Sequence, residues 1–138
     1  MTQEDKMLLI KDLSSRLPYA VHVQHTSGLS GILHDISIRH KYDGNDNIYD
    51  AICYTDFFGD GDSISIEHFK PYLFPILSMP EEATREFSKT FDWVETTHGY
   101  SKSEMSWDTF DCVNKHHIDY RGLIEKGLAV DATGLNIY

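Results

Sequence analysis

The sequence predicts an α+β fold: an N-terminal helix, a small bent antiparallel sheet and a helical C-terminal half. Three observations carry that expectation. Apolar residues recur at helical spacing as far as Pro18. The period then drops to two in short runs, separated by turns and loops, as far as about Glu67. Helix-start signals return from Ser78 onward. An SH3-like barrel is one form such a sheet could take. The 138 residues leave room for one domain or two small lobes. The expected divide is Ser78. Residues 1–77 would make a helix-plus-sheet lobe, and residues 78–138 a helical lobe packed on it as one compact unit.

Each element has its own signal. Thr2 is placed to cap a helix, with Asp5 three residues on. Leu9, Ile10, Leu13 and Leu17 form its stripe, and Pro18 ends it. Tyr19, Val21 and Val23 then share a strand face. Thr26 to Gly31 reads as a turn. Ile32, Ile36 and Ile38 alternate with Leu33, Asp35, Ser37 and Arg39, and His34 interrupts the apolar face. Residues 41–47 carry loop chemistry. Ile48 to Thr55 is β-prone. Phe57 to Ser63 reads as a turn, with Gly59 and Gly61 free to take positive φ. Ile64 and Ile66 alternate again. Parallel pairing is not expected, because it needs a helical crossover.

In the second half, Ser78 with Glu81 makes a capping box ahead of a helix with Ala83, Phe87 and Phe91 inward. Residues 96–103 read as a loop. Ser103 or Ser106 would cap a further helix with Trp107, Phe110 and Val113 facing inward, ending near His116-His117. Asp119 would begin a turn, Gly127 would stop it in the left-handed region, and Leu128 to Val130 would be extended. Phe69, Tyr72 and Phe74, near Pro71 and Pro75, are expected at the seam between sheet and helices.

Charge and cysteines narrow the function. Lys plus Arg number 12 against 22 Asp plus Glu, for a net charge of -10. General nucleic-acid binding is disfavoured, because phosphates are held by clustered basic side chains. The two cysteines, Cys53 and Cys112, lie in apolar stretches and form no CxxC pair; buried reduced thiols are expected. The N-terminal apolar run stops at Ile10, too short for a secretory segment, and no run approaches a membrane span. A cytoplasmic protein without membrane contact is expected.

No motif names a reaction. Eight histidines raise metal binding, but no HExxH is present. His22 and His25 fall on opposite strand faces, and His116 and His117 diverge on a helix end. The helix dipole accounts for that last pair by favouring partial positive charge there. A scattered His/Asp/Cys site stays open as an alternative, but no metal ligand and no cofactor is assigned. Counted from Asp43, an EF-hand would need Gly and Glu where Ile48 and Tyr54 stand. Asp56, Asp60 and Asp62 read as turn formers. There is no GxSxG elbow, no GxGxxG and no phosphate-binding GxxxxGK loop.

Three blocks carry a resemblance. They are Leu8 to Tyr19 (LLIKDLSSRLPY), Lys70 to Glu82 (KPYLFPILSMPEE) and His117 to Ala132 (HIDYRGLIEKGLAVDA), the last running on to Tyr138. Together they resemble a group of small uncharacterised proteins of gut Bacteroidales and their phages or prophages. The resemblance implies a cytoplasmic protein of mobile-element ancestry and carries over no catalytic residue. In the third block, Asp119, Tyr120 and Arg121 are the candidate binding residues. Capping by Asp119, packing by Tyr120 and an ion pair for Arg121 form the structural alternative.

The expected function is therefore a non-enzymatic protein-binding or accessory module with a protein partner and no cofactor. One alternative is an acidic inhibitor that mimics nucleic acid. Another is a small hydrolase or metalloenzyme using His and Asp. The sequence leaves the oligomeric state open.

Overall fold

Thr2 opens the first helix as expected: its Oγ1 accepts the Asp5 N–H at 3.1 Å. In the computed structural model, which describes residues 1–44, 46–56, 64–90 and 107–138, this helix is α1, Gln3–Arg16. Leu9, Ile10 and Leu13 on one side of it are buried. A 3₁₀ turn, Leu17–Tyr19, holds Pro18 where a longer helix would have to continue. Ala20 then takes φ 53°, swinging the chain into the sheet.

Among the described residues six strands follow: β1 His22–His25, β2 Ser30–Asp43, β3 Asp46–Thr55, β4 Ile64–Ser65, β5 Phe69–Leu73 and β6 Val130–Asp131. Their spatial order is β4-β3-β2-β1-β5-β6. The sheet is open, with β4 and β6 at its two edges, so no barrel closes. It is also mixed, because β5 pairs with β6 in parallel while the other pairs are antiparallel. The crossover that parallel pairing needs is supplied by the chain between β5 and β6. That stretch carries α2, Glu81–Thr90, and α3, Trp107–Lys115.

Strands β2 and β3 form one long hairpin whose ladder reaches Asp43↔Asp46. The loop expected over 41–47 is thus mostly strand. Its turn chemistry is concentrated at the tip, where Gly44 takes φ 63°. The register slips between Leu33 and Asp35, which makes His34 the extra residue of a bulge. A bulge reverses the inward phase. Leu33 before the bulge and Ile36 after it therefore both face the core, while Ile38, on the same face as Ile36 but farther along the hairpin, is exposed. The alternation expected from Ile32, Ile36 and Ile38 missed that step.

The main core lies between α1 and the sheet. Leu9 and Leu13 meet Val21, Val23, Leu33, Cys53, Phe69 and Leu73, and Leu123, Leu128 and Ala129 complete it from the C-terminal segment. A smaller cluster joins Ala83 of α2, Val113 of α3 and Ile118, with Phe74, Met79, Phe87 and Tyr120 against it. Phe69 and Tyr72 are buried and Phe74 bridges to the second cluster, as the seam expectation required.

Two helix details differ from expectation. Ser78 lies in a 3₁₀ turn, Ile76–Ser78, and α2 starts only at Glu81, with the Thr84 N–H bonded to Pro80 O at 2.9 Å. Trp107 is 86% exposed, because the inward stripe of α3 runs through Thr109, Cys112 and Val113 instead. Phe91, the 96–103 loop, the Ser103 and Ser106 caps, Gly59, Gly61, Asp60 and Asp62 lie outside the described residues.

Candidate functional site

The C-terminus of α3 sets the position of the third sequence block. Ile118 N–H bonds Val113 O at 2.8 Å and His117 N–H bonds Asn114 O at 3.2 Å. This is the Schellman pairing, with His117 at φ 57° where glycine is the usual residue. The strain of a non-glycine residue there, on the order of 1–3 kcal/mol, is offset by what the His117 side chain meets. Its ring stacks on Tyr138 at 3.8 Å and 11°. The Tyr138 hydroxyl in turn accepts the His22 N–H at 3.1 Å and donates to Tyr72 O at 2.8 Å. Burial, reinforced by the Arg16 charge, pushes the His117 pKa down to about 3. This histidine is therefore neutral at pH 7. The partial positive charge expected from the helix dipole does not form on it, because desolvation outweighs the dipole.

From this cap the chain runs alongside the end of β5. Phe74 N–H bonds His117 O and Asp119 N–H bonds Phe74 O, both at 2.8 Å. Asp119 then caps the following turns: its Oδ1 accepts the Leu123 N–H and its Oδ2 the Ile124 N–H, each at 2.9 Å. Gly127, at φ 72°, ends the segment as expected.

Beneath this segment lies a buried ion pair. Asp12 and Arg16 of α1 are both 0% exposed. Arg16 Nε and Nη2 each reach an Asp12 oxygen at 2.8 Å. Nη2 also donates to Ile118 O at 2.8 Å, and Nη1 to Val113 O at 3.3 Å. Arg16 thus fastens α1 to the end of α3, adding a second donor to the Val113 carbonyl that already accepts Ile118 N–H.

Tyr120 and Arg121 rest on that base. The Tyr120 ring centroid lies 5.5 Å from Arg16 Cζ and 4.8 Å from Arg121 Cζ. Arg121 Nε stands 3.5 Å from Asp12 Oδ1 and makes no hydrogen bond. Asp119, Tyr120 and Arg121 thus line one groove, although Asp119 itself is buried and capping. They form one wall of a groove of about 560 Å³, continued by Gly122, Ile124 and Glu125. Pro75, Ile76 and Leu77 form the opposite wall. Leu77 is 99% exposed and Ile76 49%. The Leu77 wall carried no functional expectation. Its signal was present in Pro75-Ile-Leu-Ser78, where two large apolar residues follow a proline that disfavours regular structure.

A second cluster sits between α2 and α3. A Glu86 carboxylate oxygen, Cys112 Sγ and a His116 ring nitrogen lie within 4.8 Å of one another. His116 Nε2 and Glu86 Oε2 are 2.6 Å apart, and Lys115 Nζ is 3.2 Å from Glu86 Oε1. Those bonds, from His116 first and Lys115 second, hold the Glu86 carboxyl below its usual range. Burial, then the Glu86 charge, raises the Cys112 thiol. The sequence leaves a scattered His/Asp/Cys site open without joining His116 to Cys112; His117 stacks on Tyr138 instead. The usable signal was Cys112 with His116, four apart on one helix face. Cys53 and Cys112 are both free and buried, and burial pushes Cys53 up to about 12.

No family model, no curated protein and no solved structure matches the chain. No helix among the described residues is long and apolar enough to cross a membrane.

Proposed function

We propose that the chain is a non-enzymatic binding module that receives a segment of another protein in the groove between Pro75–Leu77 and Asp119–Glu125. The observation that carries the reading is a 99% exposed leucine lining the same groove as Arg121, whose side chain is 27% exposed. Solvent gives such a leucine nothing, and burying it against a partner would contribute roughly 1.5–3 kcal/mol. An arginine beside an apolar rim suits a segment that presents an apolar side chain next to a carboxylate. The reading includes a cytoplasmic setting and mobile-element ancestry, as the sequence resemblance implies.

Nucleic-acid mimicry needs acids left free on one face. Here many are spent locally. Asp12 is buried against Arg16, Asp119 caps a turn, and Asp56 accepts the Ile32 N–H at 2.8 Å. Asp50 and Glu67 are both held by Lys6. The binding-module reading is therefore preferred.

Site-specific photocrosslinking tests it. A photoreactive residue at position 77 should join one stoichiometric protein in a lysate of the producing cell, in the presence of nuclease. The same residue at exposed Lys11 should not, and Arg121→Glu should abolish the adduct. Adducts formed equally from both positions, none from position 77, or one lost on nuclease treatment would overturn the proposal.

A further inference from the structure

We propose that Glu86, Cys112 and His116 form a zinc site joining α2 to α3. The inference does not depend on the groove. Three different donor types meet from two helices, with all three donor atoms within 4.8 Å. Cys112 and His116 are four residues apart, so one helix face presents both. Glu86 comes from the facing helix and already touches His116.

The donor set selects the metal class. Thiolate, imidazole and carboxylate together suit a borderline-soft ion such as Zn²⁺, whereas Mg²⁺ and Ca²⁺ prefer oxygen alone. Tetrahedral Zn²⁺ holds its donors roughly 3.3–3.6 Å apart, given bonds of about 2.0–2.3 Å. The present spacings bracket that range, from the 2.6 Å His116–Glu86 contact to the 4.8 Å limit. Small side-chain rotations would therefore seat the ion.

Protons and charge balance. Binding breaks the Cys112 S–H bond; the proton leaves to solvent and the sulfur lone pair bonds the metal. His116 gives Nε2 once its proton resides on Nδ1. Glu86 gives Oε2. One thiolate and one carboxylate neutralise the divalent charge. Lys115 then has a place outside the ligands: it already sits nearer Oε1, at 3.2 Å, than Oε2, at 3.4 Å. It can keep the first oxygen while the metal takes the second, which orients the ligand. Three protein donors leave a fourth position that water can fill, and the Glu86 side chain is 38% exposed.

A plain Glu86–His116–Lys115 ion-pair network would need nothing from Cys112, and that difference makes the proposal testable. The full-length chain, untagged and metal-free, is titrated with Co²⁺ and then with Zn²⁺. One equivalent of Co²⁺ should give visible bands of four-coordinate cobalt and a thiolate charge-transfer band, and Zn²⁺ should displace it. Cys112→Ser should lose the charge-transfer band, and Glu86→Gln should weaken Co²⁺ at least about tenfold, a difference of about 1.4 kcal/mol. Circular dichroism identifies any variant that fails to fold. Glu86→Gln, on the more exposed side, then carries the comparison. No saturable equivalent in the wild-type chain, or an unchanged band in folded Cys112→Ser, would overturn the proposal.

Discussion

Two arginines sit against one tyrosine ring and serve opposite ends. Arg16 is wholly buried; its guanidinium is divided between the Asp12 carboxylate and the carbonyls of Val113 and Ile118. Arg121 is 27% exposed, stands 3.5 Å from the same aspartate and leaves its Nε without a hydrogen bond. Both contact Tyr120. A guanidinium whose donors are bound inside the fold maintains the fold and has little left for a ligand. One held at the rim by a ring, with its Nε buried toward the carboxylate, keeps its terminal Nη donors for a partner. The inner arginine thus makes the platform, and the outer one stands where a partner could use it.

The largest effect expected from this contrast is on the inner side. Arg16→Met should lower stability by about 3–5 kcal/mol, because it strands a buried aspartate. Urea unfolding followed by circular dichroism reads the loss. Replacing both members, Asp12→Leu with Arg16→Met, should recover much of it, since no uncompensated charge remains. A double variant worse than the single one would mean that the carbonyl bonds to Val113 and Ile118 matter more than the ion pair.

His117, under the same segment, should govern the acid side of the pH profile. Its pKa is about 3 when folded and about 6.5 when unfolded. Between those values the unfolded chain binds the extra proton, so stability rises with pH across the window and falls as pH drops below about 6.5. The slope reaches about 1.4 kcal/mol per pH unit for one proton. Glu67 and Glu86, both depressed by their partners, add loss in the same direction at lower pH. Their contribution is shared by wild type and variant. His117→Asn, which tolerates the left-handed backbone, should flatten the profile from pH 6.5 to 4. An unchanged slope would place the acid sensitivity elsewhere.

Smaller changes belong at the surface. Glu86→Gln should cost less than about 1 kcal/mol in metal-free protein, since its partners are partly exposed. Leu77→Ser should move stability by no more than about 0.5 kcal/mol, while removing the apolar rim on which partner capture depends. A melting curve for each separates these from the Arg16 effect.

The sequence made local chemistry legible where a single segment decides it. Thr2 capped α1, Pro18 stopped it, and Gly127 took the left-handed turn, because caps and breakers act within a few residues. It misled wherever distant partners decide. The His34 bulge shifted the inward face of β2 by one residue, and only pairing with β3 reveals that. The parallel β5–β6 pair required a crossover long enough to carry two helices, which a strand-by-strand reading could not supply. Trp107 was assigned to the core because it lies three residues before Phe110, yet tertiary packing chose the adjacent stripe. At the candidate site, Asp119, Tyr120 and Arg121 come from one continuous block and line one groove, while their contacts are a cap, a packed ring and an ion pair. The opposite wall, Pro75–Leu77, and the approach of Glu86 to Cys112 and His116 are products of folding between segments far apart in the chain.

Arg121→Gln tests the central contrast most directly, measured twice on the same preparation. Urea unfolding should place it within about 1 kcal/mol of wild type, and crosslinking from position 77 should lose its protein adduct. Full retention of the adduct, or a stability loss as large as that of Arg16→Met, would contradict the account by making Arg121 a second structural arginine.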